Sequence, residues 1–366
     1  MRRPVVLVAV VGVAACAASP APARVRADTP GNVGMTGREF SDPQRPSWAG
    51  AGARPLRALV WYPASPDAAP ADVTIGPPAA ALFHAGRAAA SAPIAPGRHP
   101  LVLLSHGTGG AALQMMWLGQ ALAARGYIVA AVNHHGNTFA EPEAKVQGFV
   151  LWWERARDLS VLLDRLLADA ELGPHIDRAR IGAAGFSIGG YTVAALAGAR
   201  TDLGEFDAFC KGPDRDATCD DQKEYPDAGK QFAAIEREPA IAASLARAGA
   251  DYRDLRVRAV VAVAPAVTHA FTPASLRAIA VPVMVVGGDA DRTAPIATNA
   301  AHLAASVPGA ALVHTPAAHY TFLAECTPAG RARLAELCAD PAGADRAAVH
   351  RDVADRVVAF FDRTLP

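Results

Sequence analysis

The sequence predicts an α/β architecture, a mostly parallel central sheet with helices on both faces. Two observations predict it. From Pro100 onward, short apolar runs alternate regularly with segments of helical length, the pattern of strands buried on both faces by crossover helices. Within that alternation, the run Arg180-Ile181-Gly182-Ala183-Ala184-Gly185-Phe186-Ser187-Ile188-Gly189-Gly190 reads as a buried strand entering a sharp glycine-flanked turn with a helix behind it. At 366 residues, 51% of them hydrophobic, the chain can bury one large domain with insertions.

In chain order, an early strand is expected over 56–62, followed by an Ala/Pro-rich surface excursion over 64–97. Regular alternation then gives a strand over 101–104, a helix over 111–125, a strand over 127–132, a helix over 151–168, a strand over 179–184 and a helix over 191–199. The pattern breaks over 201–256, a charged stretch with two cysteines and helical apolar spacing over 231–248. A cap or lid is expected there, because long inserts between core elements commonly border functional sites. Strands return over 259–264, 283–286 and 310–313, and an amphipathic helix follows over 344–361.

The chemistry starts at Ser187. A serine at the apex of a strand-to-helix turn is lifted out of the sheet, where a base can reach it. The flanking glycines let strand and helix approach closely and let a strained serine conformation persist. Serine is a poor nucleophile at its free pKa and needs a base within hydrogen-bond reach. His319, in the loop after the last expected strand, is the candidate; His314 ends the strand itself and His302 falls in a helix. An acid must orient the imidazole, and Asp289 and Asp291 compete for that role. The tetrahedral intermediate needs two N–H donors. The backbone of Ile188 supplies one, and the loop Ser105-His106-Gly107-Thr108-Gly109-Gly110 is placed to supply the other.

Together with Gly288-Asp289-Ala290-Asp291-Arg292-Thr293-Ala294-Pro295 and Ala318-His319-Tyr320-Thr321-Phe322-Leu323, these segments resemble the α/β-hydrolases. The nearest likeness is to their dienelactone-hydrolase-like branch, close to the platelet-activating-factor acetylhydrolase type. Trp61-Tyr62-Pro63 and Trp153-Glu154-Arg155 strengthen it, and it extends from about Arg38 to the C-terminus. The resemblance implies an α/β-hydrolase fold and a Ser187, His319, Asp291 triad. In the family pattern the acid stands four residues before a proline, so Pro295 selects Asp291, with Ala294 in place of the usual valine. Asp289 then holds the turn. Thr108 is assigned the second oxyanion N–H, and His106 becomes a brace for its loop.

The implied activity is cleavage of carboxylic esters through an acyl-enzyme, short acyl chains being favoured. No cofactor is required, and the expected partner is a small-molecule ester. A peptidase or an acyltransferase would share the triad. A non-catalytic envelope binding protein is the rival outside catalysis, and it would have no need of the complete set.

Other residues read more plainly. His134 and His135 are adjacent, and consecutive side chains rarely face one ion, so no metal site is expected. Trp117, Trp152 and Trp153 read as packing before acyl-pocket lining. Glu154, Arg155 and Asp158 read as surface or interlayer ion pairs.

Formal charge is zero and no basic run exceeds two residues, which argues against nucleic acid. Met1-Arg2-Arg3 followed by an apolar stretch over 5–14 resembles an export signal over 1–18, too short to span a bilayer. Val13-Ala14-Ala15-Cys16 resembles a bacterial lipobox, so cleavage and lipidation at Cys16 both stay open. Membrane association would follow only from that lipid. The expected location is outside a bacterial cytoplasm, periplasmic or secreted. A Pro/Ala/Gly-rich tether is expected over 19–37, with the catalytic domain over 38–366. Oligomeric state has no signal in the sequence. Without Cys16, four cysteines remain, with three connectivities. Local pairs, Cys210–Cys219 and Cys326–Cys338, are expected; a cross pairing such as Cys210 with Cys326 stays open.

Overall fold

The computed structural model describes residues 31–365. The signal segment, Cys16 and the tether up to residue 30 lie outside the described residues. Eleven strands are found among them: β1 Val33–Pro46, β2 Ala53–Pro63, β3 Ala71–Ile75, β4 Phe83–Ala90, β5 His99–Ser105, β6 Ile128–Asn133, β7 Ile176–Phe186, β8 Val257–Val263, β9 Val283–Gly288, β10 Ala311–Thr315 and β11 Glu325–Cys326. They lie in the order β10-β9-β8-β7-β5-β6-β2-β1-β4-β11, with β3 on β4. From β6 through β5, β7, β8 and β9 to β10 every pairing is parallel, and β2 joins β6 antiparallel. This is the expected mostly parallel sheet.

Its helices cover both faces because the strands are apolar on both. Successive β5 residues split between two cores: Leu101 and Leu103 join Leu159, Leu162 and Leu163 of helix Glu154–Ala168 and Val193 of helix Ile188–Ala197. Val102 and Leu104 face Met116, Leu118 and Leu122 of helix Met116–Ala123, with Val353, Val357 and Phe361 of helix Arg346–Thr364. The period-two alternation of a strand divides the sheet between these layers.

Several expectations need correction. The tether expected over 19–37 gives way to β1 at Val33, whose register against β2 begins at Val33↔Pro63 and reaches Asp42↔Arg54 before a bulge. The folded body therefore includes residues before 38. The excursion over 64–97 is sheet: β4 runs parallel beside β1 and carries β3 and β11. Pairing with a ready edge overrides its Ala/Pro/Gly composition. The helix expected over 231–248 is two, Ala228–Ile235 and Pro239–Leu245, because Pro239 lacks an N–H and fits only a first helical turn. With helix Leu203–Lys211, these make up the insert.

The cysteines form the local pairs, Cys210–Cys219 within the insert and Cys326–Cys338 after the histidine loop.

Candidate active site

Ser187 follows the last residue of β7 and precedes the first residue of helix Ile188–Ala197. Its backbone sits at φ 56°, ψ −121°, a region L-residues occupy only when the surroundings hold them there. The end of β8, the loop after it and the serine's own helix do so: the N–H of Ser187 donates to Val263 O at 2.9 Å, and its carbonyl accepts from Ala266 N at 3.2 Å and Gly190 N at 2.8 Å. The flanking glycines are required by contact. A Cβ on Gly185 would lie 2.0 Å from Gly189 O, and one on Gly189 would lie 2.1 Å from Ser105 O.

Three sequence-distant residues meet here. His319 opens a short 3-10 turn, His319–Phe322, after β10. Its Nε2 lies 2.9 Å from Ser187 Oγ and its Nδ1 2.7 Å from Asp291 Oδ2. All three side chains are buried. Asp291 is held in the turn after β9, where its Oδ1 accepts the backbone N–H groups of Thr293 at 2.9 Å and Ala294 at 2.8 Å. With Nδ1–H donating to the carboxylate, Nε2 is left to accept the serine proton. Asp289 stands outside this arrangement and accepts instead from His314 Nδ1 at 2.7 Å on an exposed surface.

The loop after β5 faces the serine. Gly107 lies so close that a Cβ on it would fall 2.9 Å from the Phe186 ring. Among the described residues no protein acceptor takes the N–H of Thr108, and Ile188, as first residue of its helix, has no intrahelical acceptor. Thr108 lines the cleft at Ser187 and Ile188 directly follows that serine; the walls also include Gln114, Phe139, Glu224, Tyr320, Leu323 and Leu337.

Beneath the loop lies a buried polar network. His106 Nδ1 donates to Gly107 O at 2.7 Å, and its Nε2 accepts the N–H of His134 at 3.1 Å, which makes it the expected brace. His134 Nδ1 donates to Asp158 Oδ2 at 2.9 Å while Nε2 accepts from Ser105 Oγ at 2.9 Å. Arg54 grips Asp158 through Nε and Nη2 at 2.8 and 3.0 Å. Arg45 joins Asp42 at 2.6 Å and Glu154 at 3.0 Å. Arg155 donates to the carbonyl of His106 and, at 3.2 Å, to Thr192 Oγ1, which in turn donates to Ile188 O at 2.8 Å. Burial pushes His134 down to about 3 and His106 well below its usual range. Although burial opposes its charge, Asp158 is held well below the carboxylate range by Arg54 and Arg45. Arg45 and Arg54 therefore pair directly with Asp42, Glu154 and Asp158 out of water, while Arg155 donates to neutral acceptors beside them. Glu154, Arg155 and Asp158 are thus interlayer, and the surface alternative is overturned.

None of Trp117, Trp152 and Trp153 lines the cleft: their indole N–H groups donate to Phe322 O, Phe149 O and Ser244 O. His135 pairs with Glu141 at 2.8 Å and braces the next loop. Gln114, Phe139, Glu224 and Leu337 carry no sequence signal of their own and reach the cleft through tertiary folding alone.

Comparison with known proteins adds three likenesses. Residues 113–210 match the prolyl oligopeptidase family model, a span that includes Ser187 and ends before Asp291 and His319. Two curated relatives, cutinases est1 and est2 of Thermobifida alba, are each 32% identical over 104 residues, 28% of this chain. The chain spans only 31% of the length of those relatives. A solved structure of a ferulic acid esterase from Streptomyces cinnamoneus matches with a TM-score of 0.62 at 24% identity, covering 92% of this chain and 91% of that one. This is a likeness of fold, and the chain has the α/β-hydrolase fold.

Proposed function

We propose that this chain is an exported serine hydrolase that cleaves carboxylic esters of short acyl chains through an acyl-enzyme. One observation carries the reading: a single imidazole bridges a strained serine and a buried carboxylate, at 2.9 and 2.7 Å. Ser187 Oγ attacks the ester carbonyl as His319 Nε2 takes its proton, and the tetrahedral oxyanion accepts from the N–H groups of Thr108 and Ile188. His319 then protonates the leaving alcohol, and water repeats the sequence to release the acid. Asp291 orients the ring and stabilises its cationic form without taking the proton.

The names of the curated relatives and of the structural neighbour support ester cleavage. The branch near platelet-activating-factor acetylhydrolase rests on the sequence motifs alone. Two disulfides support an oxidising compartment outside the cytoplasm. The insert over 201–256 acts as a cap, a reading supported by Glu224 at the cleft.

Hydrolysis of p-nitrophenyl esters from acetate to palmitate, with Ser187→Ala alongside, tests this. Activity that peaks at short chains and disappears in the variant is expected; full activity in Ser187→Ala would overturn the assignment. The prolyl oligopeptidase match across the serine turn favours peptide-bond cleavage as the second reading. Serine-dependent turnover of peptide amides without ester turnover would select it.

A further inference from the structure

We propose that Glu224 makes this cleft select substrates by charge. It disfavours esters that carry an anionic group and favours neutral esters and those bearing a hydroxyl or ammonium donor. The inference rests on the ester-hydrolase reading above and deepens it by naming a substrate class.

The walls of the cleft supply the argument. Besides His319, the residues lining it include one ionisable acid, Glu224, and no lysine or arginine. The preceding residue, Lys223, turns its ammonium group to Glu336. Among the described residues no cation lies within ion-pair distance of the Glu224 carboxylate. Its recorded partner is the hydroxyl of Tyr320, 3.4 Å from Oε1. Burial, with Glu224 and Glu336 nearby, pushes the Tyr320 phenol upward, so it stays a donor. The 3.4 Å contact is long for an O–H···O bond, which leaves the carboxylate able to accept from a substrate.

Position matters as much as charge. Gly109, the neighbour of Thr108, sits at φ +63°, and a Cβ there would meet Glu224 Cβ at 2.9 Å and Cγ at 3.0 Å. The stem of Glu224 therefore lies on the backbone of the loop that faces Ser187. The segment that presents it is tied down. Cys210 is bonded to Cys219, Asp216 accepts from Asn299 Nδ2 at 2.7 Å, and Gln222 Nε2 donates to Phe149 O at 3.2 Å. Upstream, Phe209 stacks on His269 at 3.9 Å. The Glu224 side chain is exposed at the rim of the cleft, where its charge acts through solvent on each substrate that enters. At separations of several ångströms, a like charge weakens productive binding about three- to tenfold, and added salt screens the effect.

The test uses three p-nitrophenyl acyl esters of matched length, ending in a methyl, a carboxylate or an ammonium group. Each is turned over by the full chain and by Glu224→Gln and Glu224→Lys. In the unmodified protein, kcat/KM for the neutral ester should exceed that for the anionic ester about three- to tenfold at low salt, and the ratio should shrink as salt is raised. Glu224→Gln should bring the ratio to within about twofold of unity, and Glu224→Lys should invert it. Using the ratio removes any effect of the substitution on the chemistry common to all three esters. An unchanged ratio in both variants, with Ser187-dependent turnover intact, would overturn this proposal alone. No Ser187-dependent turnover of the neutral ester would instead overturn the ester-hydrolase reading, and the proposal with it.

Discussion

The guanidinium of Arg155 donates to the carbonyl oxygen of His106, two residues before Thr108, while its Nε reaches Thr192 on the helix that begins at Ile188. One buried side chain thereby ties together the two backbone segments assigned as oxyanion donors. Arg155→Met should lower kcat about ten- to a hundredfold with a smaller change in KM, since the loss falls on donors that matter most in the transition state. It should also cost about 1–3 kcal/mol of stability, because the carbonyl of His106 is left buried without its charged donor. Steady-state kinetics alongside chemical denaturation checks both; a variant equally destabilised but with unchanged kcat would remove the positioning role.

Asp291 and Asp289 stand two residues apart and make different contacts, Asp291 with His319 and Asp289 with His314. Asp291→Asn keeps the shape but can no longer orient a cationic imidazole, so kcat should fall by roughly two to four orders of magnitude. Asp289→Asn removes an exposed pair with His314, and such pairs contribute about 0–1 kcal/mol. Its kcat/KM should stay within about twofold. The reverse pattern would move the orienting role to Asp289.

How much of this was legible follows from whether the constraint is local. The Ser187 turn announces itself because the contacts that demand glycine at 185 and 189 lie within a few residues and one neighbouring strand. The parallel strands are legible because burial on both faces makes them continuously apolar. By contrast, β3 and β4 hide in Ala/Pro/Gly-rich sequence, since the edge offered by β1 determines their conformation. Glu154, Arg155 and Asp158 read equally well as solvated charges. Their burial depends on Arg45 and Arg54, about a hundred residues earlier on the chain. Glu224 and Leu337 reach the cleft from segments whose placement no periodicity encodes.

Mild acid should destabilise the fold before it protonates the carboxylates. Burial holds His134 at about 3 and His302 and His350 at about 4, against about 6.5 in an unfolded chain. Between roughly pH 6.5 and 4 the unfolded state therefore binds more protons, so stability falls as pH falls through that window and levels off above it. A fully buried imidazole contributes at most about 1.4 kcal/mol per pH unit there. Melting temperature should decline from about pH 6.5 to 5, and His350→Gln should flatten the slope. A melting temperature constant over that range would contradict the prediction.

The Cys326–Cys338 bond should matter to the cleft as well as to stability. It spans 12 residues, a loop whose closure contributes about 3 kcal/mol through the unfolded chain. The same loop ends in helix Ala335–Cys338, where Leu337 forms part of the cleft wall and Glu336 holds Lys223 of the insert. Replacing both cysteines by serine should therefore lower the unfolding free energy by about that amount and also raise KM for the neutral ester several-fold. kcat should change less, because His319 lies before the bonded loop and keeps its bonds to Ser187 and Asp291. Replacing Cys210 and Cys219 by serine removes a comparable staple, separated by 9 residues. That pair lies within the insert that presents Glu224, so its loss should weaken the discrimination between neutral and anionic esters more than it raises KM for the neutral one. The two double variants, compared on one substrate series, separate the contribution of the wall from that of the insert. Equal effects of both on KM and on the charge ratio would show that each bond serves stability alone.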